Sequence, residues 1–327
     1  MREAVFLRQN QARWQQYQAQ PPANPDELAA RFVALTDDLA YAQTFYPGSP
    51  TTTYLNTLAG ALHQKLYRNK PEEKNRLARF WAVEVPLVVA QHQRALAWAF
   101  GLFVLFTALG ALSAAHDPDF VRVVLGDEYV NQTLANIRKG DPMAIYKSQG
   151  EAVMFVGIAA NNIAVALRTF AAGITLGLGT LYILFQNGVM LGSFQYFFYE
   201  HHVLARSVLT IWTHGTLEIP SIVLAGGAGF VLGGGVLFPG TYSRREALAR
   251  AARDAVKLAL GLVPIIVAAA FLESFVTRHT ELPVFLSLLI IGGSAAFMGW
   301  YFGWYPRQVR RRQAALGPAP DDYATHL

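Results

Sequence analysis

The sequence predicts an all-α, polytopic helical membrane protein with an N-terminal helical region that lies in the cytosol or on the membrane surface. Of the 327 residues, 53% are hydrophobic and 15% are charged, whereas an average soluble domain has about 25% charged residues. Several apolar windows approach the roughly 20 residues that a helix needs to cross a bilayer. Residues 161–239 are also rich in glycine and interrupted by polar dipeptides, which neither a soluble core nor a simple anchor requires. This stretch therefore indicates several spans that hold polar groups at chosen depths.

Residues 1–94 are predicted to form the amphipathic helical region. Stripes of apolar residues recur at helical spacing on both sides of a turn at Pro47-Gly48-Ser49-Pro50. The last stripe leads into Pro86, which is expected to kink its helix just before the first span. The stripes favour mutual packing in a small bundle. The alternative is a helix that lies on the membrane, with Arg79 and Trp81 as interface anchors.

Residues 95–306 are predicted to form a transmembrane domain, followed by a basic cytosolic tail at 307–327. Residues 116–150 are polar and are expected to form an extracytoplasmic segment. Asn187-Gly188 is a dipeptide typical of tight turns and is expected to separate the second span from a short third segment, which either spans or is re-entrant. About six spans are expected, at 95–115, 163–185, 188–205, 217–238, 258–276 and 284–305.

Lysine and arginine side chains predict the orientation of these spans. Residues 240–257 carry five of them, and residues 307–312 carry four. The positive-inside rule places both segments in the cytosol. With six spans, the N-terminus and the C-terminus are then both cytosolic. Because this clustering explains the net charge of +5, nucleic acid is not expected as a partner, and the bilayer is.

Polar residues near the ends of the predicted spans form a candidate site. His214 and Glu218 are four residues apart, so on a helix they share one face and could hydrogen-bond or bind a metal. Arg168 would cost at least ~2.5 kcal/mol in the bilayer, and it is expected to snorkel or to pair with Glu218 or Glu273. A structural clasp is the first interpretation, and a ligand or proton-coupled site is the second. The proposed cluster contains Asn161, Asn162, Arg168, His214 and Glu218.

A metal site is the weakest interpretation of these residues. His201 and His202 are expected on the same side of the membrane as His214 and Glu218, but no HExxH motif accompanies them. The chain has no cysteine, which excludes thiolate ligands and thiol nucleophiles. No nucleophile–base arrangement is evident. We therefore expect neither an enzyme nor a cofactor, with an intramembrane metal-dependent hydrolase as the remote alternative.

Small residues spaced four apart are expected to mediate helix packing, because they let helix backbones approach closely in lipid. Such GxxxG pairs serve either packing inside one subunit or contact in a homo-oligomer, for which a homodimer is favoured. The pairs are Gly173 and Gly177, Gly188 and Gly192, and Gly229 and Gly233.

The order of these motifs resembles the stage II sporulation protein M family over roughly residues 5–305. The residues that carry the resemblance are Asn161-Asn162, Phe170-Ala-Ala-Gly173, Gly177-x-Gly-Thr-Leu181, Asn187-Gly188-x-x-x-Gly192, His214-Gly215-x-x-Glu218-x-Pro220, the segment 229–240, and Tyr54-Leu55-Asn56-x-Leu58.

In spore formers, the namesake of this family helps to assemble a peptidoglycan-degrading complex, and its partners perform the hydrolysis. The long N-terminal region resembles relatives outside sporulation, whose genes often lie near a MoxR-type ATPase. The resemblance implies a non-enzymatic scaffold of the bacterial inner membrane, linked to cell-envelope remodelling, with a MoxR-type ATPase system as a possible partner. A transporter or channel-like protein that uses the polar cluster is the alternative function.

Overall fold

A computed structural model of the protein describes residues 2–22, 24–66, 75–142, 150–277 and 282–316. Every regular element within these ranges is helical, which confirms the all-α fold class. The chain divides into two compact units, Met1–Arg76 and Leu77–Leu327. The hydropathy pattern predicts the end of the N-terminal region at residue 94, whereas the boundary between the two units follows Arg76. The tail beyond residue 316 and residues 143–149 of the predicted extracytoplasmic segment lie outside the described residues.

Up to residue 66, the N-terminal unit forms three helices, α1 (Glu3–Ala19), α2 (Pro25–Phe45) and α3 (Pro50–Leu66). Asn24 caps α2 because its side chain accepts a hydrogen bond from the Glu27 backbone N–H at 2.7 Å. The buried Trp14 packs in the core, and its indole N–H donates to Asp38 at 2.7 Å. The other buried core residues are Phe6, Leu35, Ala42, Leu55, Leu58, Ala59 and Leu62.

The described part of the second unit contains six long helices, α6 (Gln93–His116), α9 (Glu151–Ala171), α10 (Leu178–Glu200), α11 (Leu204–Leu237), α12 (Arg244–Phe271) and α13 (Val284–Met298). Among the described residues, five stretches are long and apolar enough to cross a membrane: Gln93–His116, Glu151–Ile174, Leu204–Leu237, Arg244–Thr277 and Val284–Ala315. The remaining long helix, α10, has 23 residues and carries the polar Gln186 and Asn187 near its centre.

Successive long helices run in alternating directions, so the bundle has two ends. The His116 end is defined by His116, Glu151, Glu200 and Thr277, and the Arg244 end by Gln93, Ala171, Leu237 and Arg244. Two short helices, α7 (Phe120–Leu125) and α8 (Asp127–Arg138), follow α6 at the His116 end.

The predicted turn at Asn187-Gly188 is wrong, because both residues lie in the middle of α10. The Asn187 side chain donates to the Ile183 carbonyl at 2.9 Å, so its polar group is satisfied within the helix. The reversal between α9 and α10 instead occurs at Leu176 and Gly177, which have φ angles of 58° and 85°. Only glycine adopts this left-handed conformation without steric cost. The expected spans at 163–185 and 188–205 are therefore replaced by helices that begin and end earlier.

Residues 77–91 belong to the membrane unit and not to the N-terminal unit. They form α4 (Arg76–Arg79), a π-helical turn (Phe80–Glu84) and α5 (Val85–Gln91). Pro86 has no N–H to donate to the carbonyls one turn earlier. The hydroxyls of Tyr301 and Tyr305 donate to the Trp81 and Ala82 carbonyls instead, at 2.7 and 2.8 Å. These two hydrogen bonds hold the segment against the start of helix α14 (Tyr305–Leu316) and the turn before it.

Candidate functional site

Three potential metal ligands converge between α11 and the π-helical turn Leu272–Thr277 that continues α12. His214 and Glu218 lie on one face of α11, and Glu273 lies on the turn. One ligand atom from each side chain lies within 4.8 Å of the other two. A π-helical turn shifts the direction of the following side chains relative to an α-helix, and such turns are frequent at functional sites. Here the turn places both Glu273 and Thr277 against His214.

The imidazole of His214 is oriented by both of its nitrogens. Its Nδ1 atom lies 3.0 Å from the Thr277 hydroxyl, and its Nε2 atom lies 3.9 Å from a carboxylate oxygen of Glu273. The ring is 4% exposed. When Nδ1–H donates to Thr277, the Nε2 lone pair is directed to the side of Glu273.

Helix α9 contributes two polar side chains near the site. The Asn161 amide donates to the Asn162 side-chain oxygen at 3.1 Å. Asn162 is buried, and its side chain lies beside the Glu218 carboxylate. Three long segments of the bundle therefore contribute polar groups to one place.

A cavity of about 570 Å³ lies directly beside this cluster. His214, Glu218 and Glu273 form its polar wall, and apolar side chains of α9 and α10 line much of the rest. Helix α8, outside the long helices, contributes Tyr129, and burial raises the pKa of that phenol to about 12. The phenol therefore keeps its proton at neutral pH. A cavity with mostly apolar walls and a few convergent polar groups has the character of a ligand-binding site.

Arg168 does not join the site. It is exposed on α9, one turn from the Arg244 end, and it forms no ion pair with another described residue. Asn162 and Arg168 are six residues apart, which puts them on different faces of a helix with 3.6 residues per turn. The alternative in which Arg168 pairs with Glu218 or Glu273 is wrong for this reason, and the first interpretation, that Arg168 snorkels, stays a prediction.

His201 and His202 are also separate from the cluster. His201 is the C-cap residue of α10, and its Nδ1 atom lies 2.8 Å from the Phe197 carbonyl oxygen. His202 occupies the connection to α11, with a φ of 59°. Within the described part of the chain, neither belongs to a group of three metal-ligating side chains.

The sequence-based cluster omits Glu273 and Thr277. One feature of the sequence could have identified Glu273: it is the one acidic residue among residues 258–276. An ionisable residue inside a span is by default a candidate for function. No sequence pattern indicates that it faces His214, since that contact depends on how α11 and α12 pack.

The six glycines of the predicted packing pairs lie at close contacts within the chain. An added Cβ atom at Gly173 would collide with the backbone of Gly229, and one at Gly233 would collide with the backbone of Gly177. A Cβ atom at Gly177 itself would meet only the Phe230 ring, at 3.4 Å. Gly188 and Gly192 of α10 are packed in the same way against α6. A homodimer would therefore need a different face of the bundle.

Comparisons with known families cover both units. The model of the stage II sporulation protein M family matches residues 99–278, which is more than half of the chain. This match contains all three residues of the cluster. A domain of unknown function, DUF8413, matches residues 4–68, which contain most of the N-terminal three-helix unit. No curated protein and no solved structure matches the chain.

Proposed function

The chain belongs to the stage II sporulation protein M family, and from that premise we propose that it is a non-enzymatic scaffold of the bacterial cytoplasmic membrane. The observation that carries this proposal is the division of the chain. A membrane unit follows a three-helix unit that has its own core, and each unit matches a different family. A separate module joined to a membrane bundle is the organisation that a recruiting protein requires.

We place the Arg244 end of the bundle in the cytosol and count α10 as the sixth span. The basic side chains support this orientation under the positive-inside rule, because Arg244, Arg245 and Arg253 begin α12 and Arg168 is exposed near the same end. With six spans, the N-terminal unit and the C-terminus are both cytosolic. The cluster of His214, Glu218 and Glu273 then lies in the extracytoplasmic half of the membrane.

The N-terminal unit offers a docking surface for a partner protein. Phe6, Tyr41, Phe45 and Tyr46 form an aromatic cluster, in which the rings of Tyr41 and Phe45 have centroids 4.5 Å apart. Phe45 is 56% exposed. Exposed aromatic residues are enriched at protein interfaces. We propose that this aromatic cluster binds a cytosolic component of a cell-envelope remodelling assembly, for which a MoxR-type ATPase system is a candidate.

The test is partner recovery from cells that express the full chain, a chain beginning at Leu77, or the full chain with Phe45→Ser. A polar substitution on α1, Gln11→Ser, is the matched control because Gln11 is also exposed. We expect the full chain and the Gln11→Ser control to recover the same set of partners. The chain that begins at Leu77 and the Phe45→Ser variant should both lose that set. Unchanged recovery by the chain that begins at Leu77 would refute recruitment by the N-terminal unit.

A transporter or channel-like function is the second candidate, and the cavity beside the polar cluster favours it. Because the chain has no cysteine, one cysteine introduced at Ile158, which lines the cavity, can report water access from either side. Transport predicts that a membrane-impermeant thiol reagent labels this position both in cells and in inverted vesicles. Labelling from the extracytoplasmic side alone is the result expected of a scaffold.

A further inference from the structure

We propose that His214, Glu218 and Glu273 bind one divalent transition-metal ion, with a coordination position open to the 570 Å³ cavity. The ligand set is one imidazole nitrogen and two carboxylate oxygens. Imidazole suits zinc, iron, copper and nickel, and carboxylates extend the set to manganese. Three protein ligands with a fourth position left open is the arrangement of a reactive or ligand-binding metal centre, whereas structural zinc sites are closed by four ligands.

The spacing of the ligand atoms fits one ion. Zinc binds imidazole nitrogen and carboxylate oxygen at about 2.0 to 2.2 Å, so two ligands of a tetrahedral site lie roughly 3.4 Å apart. The His214 Nε2 and Glu273 Oε2 atoms are 3.9 Å apart, and all three ligand atoms lie within 4.8 Å of one another. Both separations are longer than this ideal, so the side chains must close on the ion when it binds.

Charge balance also favours a dication. Two ionised carboxylates and a neutral imidazole carry a charge of −2, which one divalent ion neutralises. No lysine or arginine lines the described part of the cavity, so a side-chain cation does not perform this role.

The groups behind the ligands have the arrangement of an outer coordination shell. A metal-bound histidine almost always donates its other ring N–H to an oxygen, which fixes its orientation, and metal-bound carboxylates are themselves hydrogen-bonded. Thr277 contacts Nδ1 of His214, and Asn162 contacts the Glu218 carboxylate. The side chains that would hold the ligands in place are thus already present.

The open position faces mostly apolar walls that include Met154 and Ile158. It therefore accepts water, or an oxygen donor carried by an apolar molecule. This inference does not depend on the scaffold proposal, since metal binding and partner recovery are measured separately.

The experiment measures zinc binding by the full-length, tag-free protein in detergent. The protein is stripped with a chelator and titrated with Zn²⁺ in competition with a chromophoric chelator, and the bound zinc is counted by elemental analysis. We expect about one zinc per chain. His214→Asn and Glu273→Gln should each weaken binding by at least about 100-fold, while the double substitution His201→Asn and His202→Asn should leave it unchanged.

A milder substitution, outside the three ligands, distinguishes a lost metal contact from a protein that fails to fold. Thr277→Val keeps the side-chain shape and removes the oxygen beside Nδ1 of His214, so it should weaken zinc binding by about 10- to 100-fold. Zinc should also raise the melting temperature of the natural protein but not that of Glu273→Gln. No zinc above background in the natural protein would overturn the proposal. Unchanged affinity in both His214→Asn and Glu273→Gln, or loss of binding with the His201 and His202 substitutions, would do the same.

Discussion

Gly192 determines how closely α10 approaches α6. A Cβ atom at this position would collide with the Thr107 carbonyl oxygen and would lie 2.7 Å from the Ala111 nitrogen. Both obstacles are helix backbone, which cannot rotate away as a side chain can. Close backbone approach at small residues is a principal means of helix association in lipid.

We expect Gly192→Ala to destabilise the membrane unit by about 1 to 3 kcal/mol, the usual cost of overpacking. Gly101→Ala on α6 is the matched control, because a Cβ atom there meets nothing within 4 Å. Thermal unfolding in detergent compares the two variants. Equal melting temperatures for both variants would show that the contact at Gly192 is not as close as described.

At the same scale, helical spacing predicts which neighbouring side chains share a face. It correctly brings His214 and Glu218 together, since they are four residues apart. It also shows why Asn162 and Arg168 cannot meet, since they are six residues apart. Helical spacing cannot predict that Glu273 lies beside His214. Glu273 belongs to the π-helical turn that continues α12, and no local pattern shows which residues of α11 this turn contacts.

At the scale of elements, the reversal between α9 and α10 depends on two residues in the left-handed conformation. Leu176 and Gly177 have φ angles of 58° and 85°. An L-residue with a side chain is strained there. The glycine is therefore required by backbone geometry rather than by packing.

We expect Gly177→Ala to lower the free energy of unfolding by about 1 to 2 kcal/mol. Gly234→Ala provides the control within α11, because an added Cβ atom meets nothing within 4 Å and its φ angle is not positive. The readout is the melting temperature of each purified variant. A Gly177→Ala protein as stable as the control would contradict a left-handed residue at this turn.

The positions of the helices between residues 150 and 205 could not be read from hydropathy. A polar Asn-Gly pair inside an apolar stretch favours a turn, yet Asn187 bonds to the Ile183 carbonyl within α10, and Gly188 packs against Phe106. The true reversal contains Leu176, a residue type that gives no turn signal. The first span was predictable because residues 95–115 are uniformly apolar and end in polar sequence.

At the scale of the whole molecule, the N-terminal unit has its own core and should unfold independently of the membrane unit. Trp14 is 1% exposed in that core and donates to Asp38. We expect Trp14→Ala to destabilise the N-terminal unit by about 3 to 5 kcal/mol. Limited proteolysis should then remove residues 1–76 rapidly while the membrane unit keeps its melting temperature. Simultaneous loss of both units would contradict their independence.

Helix α1 shows why not every helix of this unit was predictable from the sequence. The segment Glu3–Ala19 is rich in glutamine and buries only Phe6 and Trp14, so its periodic signal is weak. The membrane class and the family were predictable, because they depend on composition and on an ordered set of motifs. How the helices pack, which creates the cavity and adds Glu273 to the cluster, required the structure.

The central claim is that the cytosolic aromatic cluster of the N-terminal unit recruits a partner to the membrane. Photo-crosslinking in living cells, with a photoreactive amino acid at position 45 or at the exposed control position 11, measures this directly. The account predicts a discrete heavier adduct from position 45, in the membrane fraction, and none from position 11. No adduct from position 45, or the same adducts from both positions, would contradict it.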